Sequence, residues 1–412
     1  MTAFTLSFLW LLIISTITVG VLCGEESRNV TVTYNDGCDI PECKDVKGPF
    51  YNLVHFRAKG TTDTIHHVWS SIGAPSLLVA RTKTTAIMNV DWKKVIAREG
   101  GAITFSPDGD VFSVSAFVIS RLLEYDDEKD TADITKVNVT RTVDVSDLMW
   151  SNVTINSTEN TALFSTVPSM PPAAENGSLA LKVQCFGVEG RSKDLPHLQH
   201  LPNTTEFALV LDNLEQNYNS TRYALEMLLV RDQQKPKQSG INLKSIATID
   251  DEYTPAVFKT YEVVLNNTSP SDKGSFIQWK PITYTSTDRN TEASKPIKTY
   301  AVNSTNHYIS NYSIAHSFFD DLSALDLGSL NISFGIGKDG FYKATKYYVW
   351  NSVAGYGTPP SDGLSILIIS IISVGLGIPV LLIFLGGIIV ACQKRSALSK
   401  DNSLTKYTSI NS

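Results

Sequence analysis

The sequence predicts a mostly β protein, with an antiparallel β-sandwich-like ectodomain and one C-terminal transmembrane helix. Three observations lead to this prediction. Short apolar runs alternate with polar residues through most of the 412 residues. One apolar segment lies near each end of the chain, and every N-glycosylation sequon falls between these two segments. Together the three features predict a type I membrane glycoprotein.

The N-terminal apolar segment has the pattern of a secretory signal peptide. Its core, Phe8–Ile14, is uninterrupted, and Val21 and Cys23 are small enough for the −3 and −1 positions of signal cleavage. We therefore predict that residues 1–23 are the signal and that cleavage follows Cys23. No positively charged side chain precedes the core, so an uncleaved signal anchor is the alternative.

The C-terminal apolar segment, residues 364–391, is a nearly continuous run of Leu, Ile, Val and Gly. It exceeds the roughly 20 residues that a helix needs to cross the hydrocarbon core of a bilayer. Lys394 and Arg395 follow directly, and an excess of basic residues marks the cytosolic side of a membrane helix. We therefore predict a transmembrane helix over 364–391 and a cytosolic tail over 392–412.

Twelve Asn-x-Ser/Thr sequons lie between the two apolar segments. N-glycosylation occurs only in the secretory lumen and on exposed chain, so the number and placement of these sequons predict a glycosylated luminal domain. The candidate acceptors are Asn29, Asn138, Asn152, Asn156, Asn176, Asn203, Asn219, Asn266, Asn267, Asn303, Asn311 and Asn331.

Alternating apolar residues predict strands throughout this region. Leu330, Ile332 and Phe334 alternate with Asn331, which places the Asn331 glycan on the solvated face of its strand. The sets Phe207-Leu209-Leu211 and Met88-Val90-Trp92 follow the same pattern. These runs are short, rich in β-branched and aromatic residues, and separated by Gly, Pro, Asn and Asp, as in packed antiparallel sheets.

Residues 24–350 are predicted to form the luminal domain, and residues 351–363 a juxtamembrane stalk. Polar stretches with Pro or Gly interrupt the domain near 165–178, 231–240 and 285–298. They either separate subdomains or form long loops of one unit.

The cysteines allow one short disulfide. In an oxidising lumen, Cys38 and Cys43 can close a small loop. Cys185 shares a strand face with apolar residues and is predicted to be a buried free thiol, although pairing with Cys38 or Cys43 stays open. Cys392 borders the membrane segment, where it is either palmitoylated or passive.

Composition argues against several classes of function. The formal net charge is −6 and no basic run is present, so nucleic acid is not an expected partner. No phosphate-binding loop, dinucleotide fingerprint or nucleophile elbow occurs, so we predict neither a cofactor nor an enzymatic activity.

Some residue clusters nevertheless invite catalytic or metal hypotheses. Asp126-Asp127-Glu128, Asp250-Asp251-Glu252 and Asp320-Asp321 supply carboxylates, but adjacency does not give the separation across a cleft that glycosidases use. We predict turn or ion-pair roles for them. The neighbouring His66 and His67 point to opposite faces of a strand and have no third ligand nearby, so we predict no metal site.

The tail ends in Tyr407-Thr-Ser-Ile410, a tyrosine-based pattern that clathrin adaptors read. In an extended peptide the two side chains are roughly 10 Å apart and can enter separate pockets beside a sheet edge. We predict that Tyr407 and Ile410 form a sorting signal; the alternative is an inert tail.

Three stretches resemble the glycosylated lysosomal membrane protein family. They are Asn52–Gly60 running into His67–Gly73, the decapeptide Ile249–Phe258, and the terminal Tyr407–Asn411. Gly335 and the segment Pro359–Gly363 are also similar. The likeness covers nearly the whole chain, but vertebrate members place several cysteines in the second half of the ectodomain, where this chain has none after Cys185. Their disulfide pattern therefore does not transfer.

This resemblance implies a non-enzymatic role in the lysosomal membrane. Members of the family act as accessory subunits of a multispanning lysosomal major-facilitator transporter that exports dipeptides, and they shield it from luminal proteases. The family ectodomain is β-rich and dimeric, so a homodimer is expected here. Two alternatives come from the residues alone: a luminal glycoside-processing enzyme that uses Asp250, Asp251 or Glu252, and an endocytosed surface receptor or adhesion module.

Overall fold

The computed structural model describes residues 26–44, 50–151, 153–234, 239–248, 253–265, 273–305, 307–361 and 366–408. The chain divides into two compact units, residues 1–361 and 362–412. The predicted signal peptide and its cleavage point lie outside the described residues.

The described part of the first unit is built mainly from β-strands, with two α-helices of six residues each. The strands are β1 (Asn29–Tyr34), β2 (Leu53–Lys59), β3 (Asp63–Ser70), β4 (Ser76–Lys83), β5 (Ile87–Val90), β6 (Ile103–Ser106), β7 (Val111–Asp126), β8 (Val139–Asp144), β9 (Thr154–Asn156), β10 (Thr161–Ser165), β11 (Ala173–Cys185), β12 (Gly190–Arg191), β13 (Gln199–His200), β14 (Thr204–Leu214), β15 (Thr221–Gln234), β16 (Ile241–Ala247), β17 (Lys259–Leu265), β18 (Ser275–Trp279), β19 (Ile282–Tyr284), β20 (Ser294–Thr299), β21 (Leu325–Phe334) and β22 (Tyr347–Tyr356). The helices are α1 (Trp92–Ala97) and α2 (Ile314–Phe319), and α3 (Ile366–Thr408) forms the second unit.

The strands form two large antiparallel sheets. The first sheet has the order β1-β2-β3-β4-β7-β15-β21-β20, with β8 beside the second half of β7. The second sheet has the order β9-β10-β11-β14-β22-β18-β17-β16. Strand β19 pairs with both β22 and β20, so β20 connects the two sheets. The predicted mostly β, antiparallel class is confirmed.

A single apolar core lies between the two sheets. It takes alternate side chains from both, including Phe56 and Ile332 from the first sheet and Phe207 and Trp350 from the second. Trp350 is wholly buried, and its ring meets those of Phe207 and Trp279 edge to face. Aromatic pairs in this geometry stabilise a core beyond their buried area.

A second apolar cluster covers the opposite face of the first sheet. It contains Leu78 and Val114 of that sheet, together with Trp92 of α1 and Ile314 of α2. The central strands β4 and β7 are therefore buried on both faces, which explains why their sequences are apolar without strict alternation.

The prediction of one strand through Met88, Val90 and Trp92 is wrong at Trp92. Strand β5 ends at Val90, and Asp91 begins α1 by accepting a hydrogen bond from the Lys94 backbone N–H. Trp92 is buried as the first residue of the helix.

The polar interruptions at 165–178, 231–240 and 285–298 do not separate subdomains, because residues 1–361 form one unit. The predicted stalk over 351–363 is corrected as well. Residues 351–356 are the end of β22, which pairs with β14 on one side and β18 on the other. The β fold of the first unit thus continues at least to Tyr356.

Helix α3 contains the described segment that is long and apolar enough to cross a membrane. That segment, Ile371–Leu398, has a mean hydropathy of 2.6, which is consistent with a single transmembrane helix. Residues 364 and 365 of the predicted span lie outside the described residues. The helix continues to Thr408, since no Pro or Gly follows Gly387 in it.

Candidate functional site

Seven of the predicted glycan acceptors are exposed. They occur at strand ends, in turns and loops, and at the register shift of β11, where an attached sugar can extend into solvent. These residues are Asn29, Asn138, Asn156, Asn176, Asn219, Asn303 and Asn311. Asn331 is half-buried on the strand face opposite the core, while Asn152, Asn266 and Asn267 lie outside the described residues.

Asn203 differs from the other acceptors because it is only 6% exposed. Its Nδ2 donates a hydrogen bond to the Tyr356 carbonyl, at the end of the pairing between β14 and β22. The structure therefore contradicts Asn203 as an accessible acceptor, although its sequon matches the consensus. A strand-starting Asn-Thr-Thr gives no local sign of this burial.

The predicted disulfide between Cys38 and Cys43 is present. Cys185 is a buried free thiol, so its alternative pairing with Cys38 or Cys43 is excluded. Burial raises the pKa of the Cys185 thiol to about 12, which keeps it protonated and unreactive.

Three residues of the described acidic clusters have structural roles. Asp127 is wholly buried against the Arg222 guanidinium, and Asp321 accepts hydrogen bonds from the backbone and hydroxyl of Ser323. Asp320 ends α2. The cluster Asp250-Asp251-Glu252 lies outside the described residues.

Three histidines are buried in the first sheet. His55 Nε2 and His66 Nδ1 are 2.9 Å apart, and His66 Nε2 is 2.9 Å from Thr82 Oγ1. Because Thr82 donates its hydroxyl proton to the Lys83 carbonyl, His66 must donate from Nε2 and accept from His55 at Nδ1. The pair is thus a chain of neutral imidazoles. Among the described residues, no group of three His, Cys, Asp or Glu side chains has a metal-binding arrangement.

His67 faces the opposite side of its strand, as its spacing from His66 predicts. It is wholly buried, and neither ring nitrogen has a hydrogen-bond partner. Burial, and secondarily the charge of Arg28, lowers the pKa of His67 to about 3. This imidazole is therefore neutral at neutral and mildly acidic pH.

A cleft of about 490 Å³ opens on the outer face of the second sheet. Lys182 of β11, Glu206 of β14 and Asn351 of β22 form its floor. Alternation along each strand directs these side chains outward while their neighbours enter the core between the sheets.

The deepest groups of the cleft are a carboxyl and an amide. Asn351 Nδ2 donates to Glu206 Oε1 at 2.7 Å, and the Ser192 hydroxyl bonds to Glu206 Oε2. Burial raises the pKa of Glu206, although the hydrogen bonds from Ser192 and Asn351 oppose that shift. Asn351 is only 4% exposed, and its Oδ1 has no hydrogen-bond partner.

The described half of the family-like decapeptide supports one wall of this cleft. The Tyr253 ring lies 3.7 Å from the Arg191 guanidinium, and Thr254 Oγ1 donates to the Pro196 carbonyl at 2.6 Å. These contacts hold the loop between β12 and β13 against the sheet. The first four residues of the decapeptide lie outside the described residues.

No local sequence pattern indicated this cleft. Ser192, Glu206, Arg289 and Asn351 come from four separate segments, and only strand pairing brings them together. The one available signal is Glu206, a charged residue directly before the apolar run Phe207-Leu209-Leu211. Asn351 gave no signal because its position beside the membrane segment resembled a stalk.

Tyr407 lies in the last described turn of α3, and Ile410 lies outside the described residues. The expected extended conformation is therefore not found at Tyr407. An adaptor that binds an extended peptide has to open this final helical turn.

The sequence is similar to that of one known protein family over most of its length. The sequence profile of the glycosylated lysosomal membrane protein family matches residues 52–397. Glycosylated lysosomal membrane protein B of Xenopus laevis is 32% identical over 397 residues, which cover 92% of this chain and 95% of the relative. The Danio rerio protein is 34% identical over 395 residues (93% and 92% covered), and the Homo sapiens protein 31% over 413 residues (98% and 95%). The chain therefore belongs to the glycosylated lysosomal membrane protein family and is a lysosomal membrane glycoprotein.

Proposed function

We propose that this glycoprotein is the accessory subunit of a multispanning lysosomal major-facilitator transporter, which it binds and protects from luminal proteases. It acts by binding and not by catalysis, with its luminal domain outside the cytosol and its tail inside. In this proposal the protein works as a homodimer, and Tyr407 and Ile410 bring it to the lysosome through a clathrin adaptor.

The observation that carries the proposal is the distribution of exposed glycan acceptors over a compact β-sandwich. Asn29 begins β1 of the first sheet, Asn219 lies in the turn between β14 and β15, and Asn156 and Asn176 belong to the second sheet. Sugars at such positions cover loops and turns, which are the segments that proteases need to reach. A coated domain of this kind is suited to shielding a partner that carries less sugar.

The short connection between β22 and α3 also supports the proposal. Strand β22 ends at Tyr356 and α3 begins at Ile366, so nine residues connect the luminal fold to the membrane helix. Exposed connecting segments are preferred sites of proteolytic cleavage. A short connection leaves a protease little chain to attack.

Crosslinking of intact lysosomal membranes, followed by identification of the attached proteins, tests the binding. We expect a multispanning transporter among the products. Pulse-chase labelling then compares the half-life of that transporter with and without the glycoprotein, and we expect a several-fold shorter half-life without it. An unchanged half-life would refute the accessory role.

Protease inhibitors separate shielding from assembly. If the glycoprotein protects its partner from luminal proteases, inhibition of these proteases should restore the transporter in cells that lack the glycoprotein. Continued loss under inhibition would contradict shielding. A second type I lysosomal glycoprotein, overexpressed in the same cells, is the control for a general effect of luminal sugar.

A further inference from the structure

The cleft on the outer face of the second sheet contains a buried acceptor without a donor. Asn351 Nδ2 donates one hydrogen bond to Glu206, whereas Asn351 Oδ1 has no hydrogen-bond partner. A buried carbonyl oxygen that lacks a donor is destabilising, and such groups are rare in folded proteins. The amide oxygen is therefore matched to a ligand that brings a hydroxyl or amine donor.

The carboxyl beside it adds a second polar group to the floor. Its Oε1 accepts a hydrogen bond from Asn351 and its Oε2 accepts one from the Ser192 hydroxyl. Each carboxyl oxygen has a second acceptor site, so it can accept a further hydrogen bond. The floor thus presents an amide oxygen and a carboxyl group that can accept hydrogen bonds from the hydroxyl groups of a ligand.

The rim of the cleft supplies positive charge. Lys182, Lys193 and Arg289 border it, and none of them belongs to an ion pair within the described part of the chain. Glu159 and Asp194 also line the rim, so with Arg191 and Glu206 included the cleft holds four basic side chains against three acidic ones. This surplus selects a ligand with an anionic group.

Size and wall chemistry narrow the ligand further. A cavity of about 490 Å³ is within the usual range of small-molecule sites. Phe186 lines it and stacks on His200, with ring centroids 3.5 Å apart. An aromatic wall offers apolar surface to the C–H groups of a ring that carries hydroxyls at its edges.

We propose that this cleft binds an acidic monosaccharide unit, with its carboxylate between Lys182, Lys193 and Arg289 and its hydroxyls on Asn351 and Glu206. The anionic group explains the unpaired cations, and the hydroxyls satisfy the buried amide oxygen. An inorganic anion meets only the rim, and a neutral sugar meets only the floor.

Calorimetric titration of the purified full-length protein in detergent tests the proposal. N-acetylneuraminic acid and glucuronic acid are the probes. Galactose is the control for hydroxyls without charge, and inorganic phosphate is the control for charge without a sugar ring. We expect saturable binding of at least one acidic sugar, and affinity at least about tenfold lower for both controls.

Two double variants locate the binding. K182Q/K193Q removes two cations from the rim and should weaken acidic-sugar binding about tenfold or more, because charge-assisted hydrogen bonds are lost. K93Q/K94Q removes two exposed lysines from α1, which packs on the first sheet, and should leave the affinity unchanged. All four side chains are exposed, so neither variant disturbs the core.

Three results would overturn the proposal. They are a lack of saturable binding by both acidic sugars, equal binding to wild type and K182Q/K193Q, and equal affinity for an acidic sugar and either control. Equal binding of phosphate would identify the rim as a general anion site and would remove the sugar from the inference.

Discussion

Arg222 and Asp127 form an ion pair of 2.7 Å, from Nε to Oδ2, in which both side chains are wholly buried. Arg222 Nη2 also lies 2.7 Å from Asp130 and 2.9 Å from Asp339. The contacts join β15 to the loops that follow β7 and β21. A buried charge of this kind is tolerated only while its partners are in place.

Substitution of Arg222 therefore tests what holds the first sheet together. Arg222→Met retains much of the side-chain length but leaves Asp127 and Asp339 buried without a counter-charge. We expect the free energy of unfolding in urea to fall by about 3–5 kcal/mol.

The control for this variant is Lys83→Met. Lys83 pairs with Asp110 in the same sheet, but its side chain is 53% exposed. Loss of a solvated pair is expected to lower stability by less than about 1 kcal/mol. Equal effects of the two variants would show that the Arg222 pairs contribute no more than surface charges.

The buried histidines predict a stability that falls toward acidic pH. The pKa of His67 is about 3 in the folded chain, against about 6.5 when unfolded. Between these values the unfolded chain binds a proton that the folded chain does not, so each pH unit below 6.5 lowers stability by about 1.4 kcal/mol. His67 alone should lower the free energy of unfolding by about 2 kcal/mol between pH 7 and pH 5.

His67→Leu removes this dependence for one residue. At pH 7 we expect equal or slightly higher stability, since the buried imidazole has no hydrogen-bond partner. At pH 5 the variant should exceed wild type by a further 2 kcal/mol or so in urea unfolding. A difference that stays constant across this range would contradict a neutral buried His67.

The Asp63 and Asp339 carboxylates do not contribute to this change in stability. Burial opposes ionisation of Asp63, yet hydrogen bonds from Arg81 and Arg28 lower its pKa below the usual range. Asp339 is lowered in the same way, chiefly by Arg222 acting against burial. Their stabilisation is present above an unfolded pKa of about 4 and is lost only as pH falls through the lower folded pKa values, outside the range from pH 7 to pH 5.

Asn203 should carry no glycan in the mature protein. Its Nδ2 donates a hydrogen bond to the Tyr356 carbonyl, and the residue is almost fully buried. We expect Asn203→Gln to leave gel mobility unchanged and to lower stability by about 1–3 kcal/mol through loss of that bond. Asn219→Gln, at an exposed turn, should remove one glycan and increase mobility. A mobility shift from Asn203→Gln would contradict the burial of this side chain.

Gly73 and Gly37 provide a matched pair for backbone strain. Both have left-handed φ angles, +70° and +69°. A Cβ at Gly73 would be 2.1 Å from the Tyr312 carbonyl oxygen, whereas a Cβ at Gly37 meets nothing within 4 Å. We expect Gly37→Ala to lower stability by about 1 kcal/mol, and Gly73→Ala to lower it by at least about 3 kcal/mol because backbone has to move.

Export from the endoplasmic reticulum tests the same two glycine variants in cells. Gly73→Ala should keep its glycans sensitive to endoglycosidase H, while Gly37→Ala should mature like wild type. If both variants mature equally, the close approach of Gly73 to Tyr312 is not required for folding.

Alternation of apolar and polar residues predicted the strands that have one face in the core and one face outside it. Leu330, Ile332 and Phe334 are buried in the core, while Asn331 faces the other side, as their alternation indicated. The strand β22 was partly missed because its pairing with β14 and β18 is entirely long-range. Without those partners, Asn351 and Ser352 look like solvated residues beside a membrane helix.

Candidate sites whose partners are close in sequence were predictable, and sites whose partners are far apart were not. The disulfide of Cys38 and Cys43 was predictable because its partners are five residues apart. Burial of Asn203 was not, because the carbonyl that it contacts belongs to Tyr356, 153 residues away. The groups of the cleft are similarly distant in sequence, since Glu206 and Asn351 are 145 residues apart and meet across two strands.

The tail signal gives a final prediction, which concerns the subcellular localisation of the protein. Tyr407→Ala removes the side chain that an adaptor pocket would hold, so we expect a several-fold rise in the surface fraction measured by biotinylation. Thr408→Ala changes the neighbouring position, which the tyrosine-based pattern leaves unspecified, and should keep the wild-type distribution. Ile410→Ala should resemble Tyr407→Ala, because both pockets of a two-point signal contribute to binding. Lysosomal residence of both Tyr407→Ala and Ile410→Ala would mean that the luminal domain or its partner carries the address instead.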